Sequence, residues 1–182
     1  VFGVIGSMPA ATSVTLAQSM AAGLNGSWRS RQEQRKTGAK RTDAEIAAMV
    51  DKGYGLALEL MDAAMASDTS AWKVAGIRAG IAFDRMQFQL TQGKITDAAK
   101  QNDYRREAFE AFAKAAERYS AAVAAGTERD DPTIYRRWFG AAMGTAELNF
   151  LRPDDLPKEG TAQDDQIELI RKSIDGMPPE AR

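Results

Sequence analysis

Residues 42–66 read TDAEIAAMVDKGYGLALELMDAAMA. Their apolar members Ile46, Met49, Val50, Gly53, Ala57, Leu60, Met61 and Ala64 recur at spacings of three and four, which is one face of an amphipathic helix. Thr42 stands where a helix is capped, and Glu45 follows three residues later. In that pairing each side chain bonds the other's backbone N–H, a capping box. The stretch therefore starts a helix cleanly and carries it for six turns. SDTS at 67–70 supplies the next break.

The same grammar extends toward the C-terminus. AWKVAGIRAGIAFDRMQFQL (71–90) predicts a second helix closing near Gly93. A third spans about Ile95–Ala125, with Phe109, Phe112, Ala116, Tyr119 and Val123 as its buried stripe and Gly126 as its stop. Asp131 and Pro132 start a fourth, and Thr161 caps a last one carrying Ile167, Ile170 and Ile174. Alternating Val/Ile/Thr strand signals are missing. The expected fold class is all-α: antiparallel helical hairpins joined by short links, as an array or a bundle, behind an N-terminal apolar helix.

The 182 residues suit one domain of about 100–150 residues with an extension. Three segments are expected: an apolar helix at 1–28, a basic linker at 29–41 and a helical domain at 42–178. The chain has neither cysteine nor histidine. Disulfides, thiol chemistry, His-based zinc or haem ligation and Ser-His or Cys-His dyads are thereby excluded. The acidic pairs Asp130/Asp131, Asp154/Asp155 and Asp164/Asp165 lack calcium-loop spacing and are accounted for by helix starts and a Pro-rich loop. No phosphate loop, dinucleotide fingerprint or nucleophile elbow occurs. No metal, cofactor or small-molecule substrate is inferred, and the expectation is a protein that is not an enzyme.

An internal echo links GIRAGIA (76–82) to GAAMGTA (140–146), each with a tryptophan just upstream, Trp72 or Trp138. Glycine in a helix costs about 1 kcal/mol relative to alanine, so paired glycines need a packing reason. Trp72-x2-Ala75-Gly76 resembles the first half of the tetratricopeptide motif, and Ala108-x3-Phe112-x2-Ala115 its second half; Pro178 matches the terminal proline. The halves do not share one 34-residue frame, the echo's offset of 64 is nearly two periods, and Ala75 replaces a larger residue. The resemblance implies a degenerate tetratricopeptide-like array over 42–178 that binds partner proteins in a groove; an ordinary helical bundle stays open beside it. Groove candidates under that resemblance are Lys73, Arg78, Asp84 and Arg85 on one helix and Arg136, Arg137 and Asn149 on the other. A solvated face with local ion pairs is the alternative for all seven.

Residues 1–28 carry no charge, and Gly3, Ser7, Ala11, Thr15, Ser19 and Gly23 recur every four residues, a ridge suited to close helix packing. Roughly 20 apolar residues span a bilayer. Six hydroxyl or amide side chains and Pro9 weaken that reading, while Trp28 and the following cations favour it. Arg29, Arg31, Arg35, Lys36, Lys40 and Arg41 face one acid, Glu33, giving net +5 in a chain of total charge −1. The expectation is a membrane-associated accessory or scaffold subunit with a single-pass anchor. Its partners would be protein subunits, its basic segment would meet anionic lipid head groups, and its helical domain would lie on the cytoplasmic side, with the periplasmic side as the alternative. A soluble adaptor binding a peptide, with 1–41 ordered on a partner, is the other reading. The near-neutral total argues against nucleic acid as a partner.

Overall fold

The computed structural model describes residues 8–35, 42–67 and 72–126, with helical backbone also at Glu168, Arg171 and Asp175. The fold is all-α: four long helices, and no strand among the described residues. They are α1 (Ala10–Arg35), α2 (Asp43–Ser67), α3 (Trp72–Thr91) and α4 (Ala98–Ala124). Each packs on the next in sequence, and α1 also touches α3.

The capping box forms as the sequence dictates. The Thr42 N–H donates to Glu45 Oε2 at 2.7 Å and the Glu45 N–H to Thr42 Oγ1 at 3.2 Å. Ile46, Val50, Ala57, Leu60, Met61 and Ala64 are buried as the periodicity requires, and Tyr54 and Leu58 join them. Gly53 is half-buried, and Met49 is 39% exposed.

Between α3 and α4 the left-handed residue is Lys94 (φ 48°), not Gly93. Gly93 instead continues the winding, its N–H donating to the Phe88 carbonyl at 2.9 Å. Helix α4 begins at Ala98, three residues later than the pattern indicates, because Asp97 caps it: Oδ1 accepts from the N–H groups of Ala99 (3.0 Å) and Lys100 (3.3 Å). It ends as expected at Gly126 (φ 73°), whose N–H reaches the Val123 carbonyl.

The face of α4 that is buried consists of Ala108, Ala111, Ala115, Ala116 and Tyr119. Phe109, Phe112 and Val123, placed centrally by the sequence pattern, are only partly buried and pack against the core's margin. Alanines along the contact let two backbones approach, which leaves the phenylalanines to seal the sides. Phe112 does so edge-on to Phe83, with ring centroids 6.0 Å apart.

The first glycine pair of the echo has two different explanations. A Cβ on Gly76 would run into the Tyr119 hydroxyl, so that glycine is required by packing. A Cβ on Gly80 would meet nothing within 4 Å. Gly80→Ala is therefore expected to raise stability by up to about 1 kcal/mol, read in a urea or thermal melt. The second pair, at 140–146, lies outside the described residues.

Helix α1 buries Ser13, Ala17 and Ala21. Pro9 starts it, its carbonyl accepting from the N–H groups of Thr12 and Ser13, both at 3.0 Å. The helix then runs without a break past Trp28 to Arg35, across the boundary drawn at 28/29. The single-pass anchor expected over 1–28 finds no counterpart: among the described residues no helix is long and apolar enough to cross a membrane. The hydroxyls of Thr12, Ser13, Thr15 and Ser19, the Gln18 amide and the arginines on the same helix keep its hydropathy too low.

Candidate functional site

Two surfaces gather the residues singled out from the sequence. The first is the outer side of α1. Ala11, Thr15, Ser19 and Gly23 are all exposed there, so this part of the expected ridge faces away from the core; the parallel row Ser13–Ala17–Ala21 makes the internal contact. Thr12, Leu16, Gln18 and Ala22 complete the exposed side. Leu16 is 39% exposed beside a shallow hollow of about 440 Å³ lined by Ala11, Thr12, Thr15 and Ser19. Thr15 donates its hydroxyl to the Ala11 carbonyl at 2.9 Å, satisfying it within the helix.

Charge distinguishes this surface from its neighbours. The exposed positions of α2 include Asp43, Glu45, Lys52, Glu59 and Asp62, and those of α4 include Lys100, Asp103, Arg106, Glu110, Lys114 and Glu117. From Ala10 to Leu24 the exposed positions of α1 carry no charge at all. A helix facing water ordinarily marks its outer face with charged residues. Of the remaining ridge and basic residues, Arg29, Arg31 and Arg35 fall on the last turns of α1, whereas Gly3, Ser7, Lys36, Lys40 and Arg41 lie outside the described residues.

The second surface is an open cleft of about 570 Å³ between α3 and α4. Two of the groove candidates, Arg78 and Arg85, line it together with Lys100, Tyr104, Glu107 and Glu110. Seven residues apart on α3, the two arginines share one face. Arg78 forks onto Asp62 of α2, Nε to Oδ1 at 2.6 Å and Nη2 to Oδ2 at 3.1 Å. Arg85 forks onto Asp51 of α2 at 2.8 and 3.1 Å, and its Nη1 donates to Glu107 of α4 at 3.1 Å. Its guanidinium also lies 5.0 Å from the Tyr104 ring centroid. One side chain thus ties three helices together.

The titration of the cluster follows from this geometry. Burial pushes the Asp51 carboxyl up, but the hydrogen bonds and charge of Arg85, helped by Tyr104 and Gln89, more than offset it and hold the group below the ordinary carboxylate range. Burial, then Asp51, pushes the Tyr104 phenol to about 12. Asp84 is half-buried and raised by desolvation, on a different side of α3 from the cleft residues. Lys73 is exposed, its Nζ 4.8 Å from the Trp72 ring centroid. The structure therefore brings Arg78 and Arg85 into one cleft and leaves Lys73 and Asp84 apart from it. Arg136, Arg137 and Asn149 lie outside the described residues.

Asp51, Tyr104 and Glu107 are the partners that sequence reading missed. They stand 34, 19 and 22 residues from Arg85 or close to it in other helices, and helical spacing signals only neighbours three or four apart. Because Arg78 and Arg85 are both engaged by carboxylates on neighbouring helices, the cluster is built first to hold helices. No group of three or more acidic, cysteine or histidine residues able to hold a metal occurs among the described residues. Compared with protein-family models, curated proteins and solved structures, the chain matches none of them.

Proposed function

We propose that the chain is a non-enzymatic scaffold or accessory subunit, held in a larger assembly through the outer side of α1 and presenting its helical body to partner proteins. The observation that carries this reading is the uncharged exposed side of α1, four turns long, on a chain with 27% charged residues whose other helices mark their outer faces with charge. Alanine, serine, threonine and glycine spaced by four accept the close approach of another helix, and Leu16 offers it one apolar anchor. The body would be a tetratricopeptide-like set of antiparallel hairpins, with the α3–α4 cleft as its partner-facing groove. If the assembly is membranous, attachment runs through a partner's helices, with Arg29, Arg31, Arg35, Lys36, Lys40 and Arg41 near anionic head groups.

Placing a charge on this side tests the reading. Thr15→Arg with Ser19→Arg should leave the isolated chain's stability within about 0.5 kcal/mol, since both positions are exposed. Sedimentation of the chain extracted from its own cells in mild detergent is expected to show wild type in a larger particle and the double variant free. A variant that stays in the particle, or a wild type that sediments as a single chain, sinks the proposal.

A further inference from the structure

We infer that α1 is a separately opening helix, which releases from the body as a unit while α2, α3 and α4 stay folded. Four features of the fold set it apart. Among its described side chains the fully buried ones are small, Ser13, Ala17 and Ala21, whereas α2, α3 and α4 bury Tyr54, Leu58, Met61, Trp72, Ile81, Met86, Phe88 and Tyr119. Burial stabilises in proportion to apolar area, and the larger side chains on this part of α1, Val14, Met20 and Leu24, are only partly buried against the core, so Ala10–Leu24 contributes less per residue than the segments behind it.

The second feature is a polar defect inside that contact. Ser13 is 1% exposed and its Oγ has no hydrogen-bond partner. A buried hydroxyl without a partner disfavours the docked state and regains water when the helix lifts. Third, the first four turns of α1, Ala10–Leu24, carry no ionisable side chain and so make no ionic tie to the body. Asp62–Arg78, Asp51–Arg85 and Arg85–Glu107 join α2 to α3 and α3 to α4, while α1 has no ionisable side chain before Arg29.

Fourth, α1 is keyed to the body by a notch at Gly53. A Cβ on Gly53 would lie 2.7 Å from a Leu24 methyl carbon, so Leu24 fills the place where α2 lacks a side chain. Lifting α1 empties that notch and uncovers the Ala17–Ala21 row, a second small-residue face beside the one already exposed. Segments with few large buried side chains, such as Ala10–Leu24, are those that open below the global unfolding free energy. No partner is needed for this opening, so it stands or falls apart from the docking proposed above.

Hydrogen exchange of the full chain at low urea tests it. Amides of Val14–Leu24 are expected to exchange at least about tenfold faster than those of Leu58–Met61 and Ala111–Tyr119, with a weaker dependence on urea. Ser13→Ala is expected to slow exchange of the α1 amides, because it removes the unpartnered hydroxyl from the docked contact. Thiol labelling gives an independent reading, because the chain has no cysteine. Ala17→Cys and Ala115→Cys each place one thiol at a fully buried alanine. Labelling of the first at least about tenfold faster supports separate opening. Equal labelling rates, or α1 amides that exchange with the same rate and urea dependence as α4, overturn it.

Discussion

Gly76→Ala is expected to destabilise the chain by about 2–3 kcal/mol, lowering Tm by roughly 5–10 °C. The added methyl would fall on the Tyr119 hydroxyl, with the ring carbon Cζ only 3.1 Å away. A side-chain tip can often swing aside, but Tyr119 is 1% exposed and its ring stands edge-on to Trp72, centroids 5.3 Å apart at 64°. Moving it displaces the tryptophan that begins α3. The gain in helix propensity from alanine, about 1 kcal/mol, is smaller than this strain. Tyr119→Phe removes the colliding oxygen, so the double variant Gly76→Ala/Tyr119→Phe should recover part of the loss. A coupling of about 1–2 kcal/mol in the double-mutant cycle is the expected readout. Simple additivity would show that Gly76 is not there for Tyr119.

This pair also marks where sequence reading stops. The Thr42–Glu45 cap, the burial of most of the α2 stripe and the Gly126 stop are local matters, fixed by residues three or four apart, and they are legible. That paired glycines need a packing reason is legible as well. Which glycine needs it is not, because the answer sits at Tyr119, on another helix 43 residues on. The same limit hid the start of α4, where the Asp97 side chain and not the apolar pattern sets the boundary.

For α1 the difficulty is of another kind. Ser13–Ala17–Ala21 and Ala11–Thr15–Ser19–Gly23 are both rows of small residues spaced by four. Amphipathicity tells inside from outside by charge, and this segment has none to offer. From Ala11 to Gly23 the residues that sequence reading selected lie along one row of the helix, and only the fold shows that this row points outward. Of the candidate groove, the two arginines that share a cleft were readable as a helical face; the carboxylates that already engage them were not, since nothing local couples Asp51 to Arg85.

Arg85→Met is expected to cost about 2–3 kcal/mol at pH 7 and much less at pH 3. The side chain is 19% exposed, and Asp51 and Glu107 are 26% and 31% exposed, so the cluster is wet enough to stay at the low end for broken ion pairs. In the wild type the folded pKa of Asp51 lies below its unfolded value. The stabilisation it brings is therefore complete above the unfolded value near 4 and is lost as pH falls through the lower folded one. Without the guanidinium, burial and the facing Glu107 push Asp51 the other way, above its unfolded value. The variant is then relieved, not weakened, as pH falls through that raised value. Urea melts of the two proteins should converge between pH 7 and pH 3. Arg85→Lys keeps the charge but cannot fork onto Asp51 while reaching Glu107, so it should lie between them. A gap that stays constant across this range would mean that Arg85 acts through the packing of its stem on Tyr104 and not as the ion that joins α2, α3 and α4.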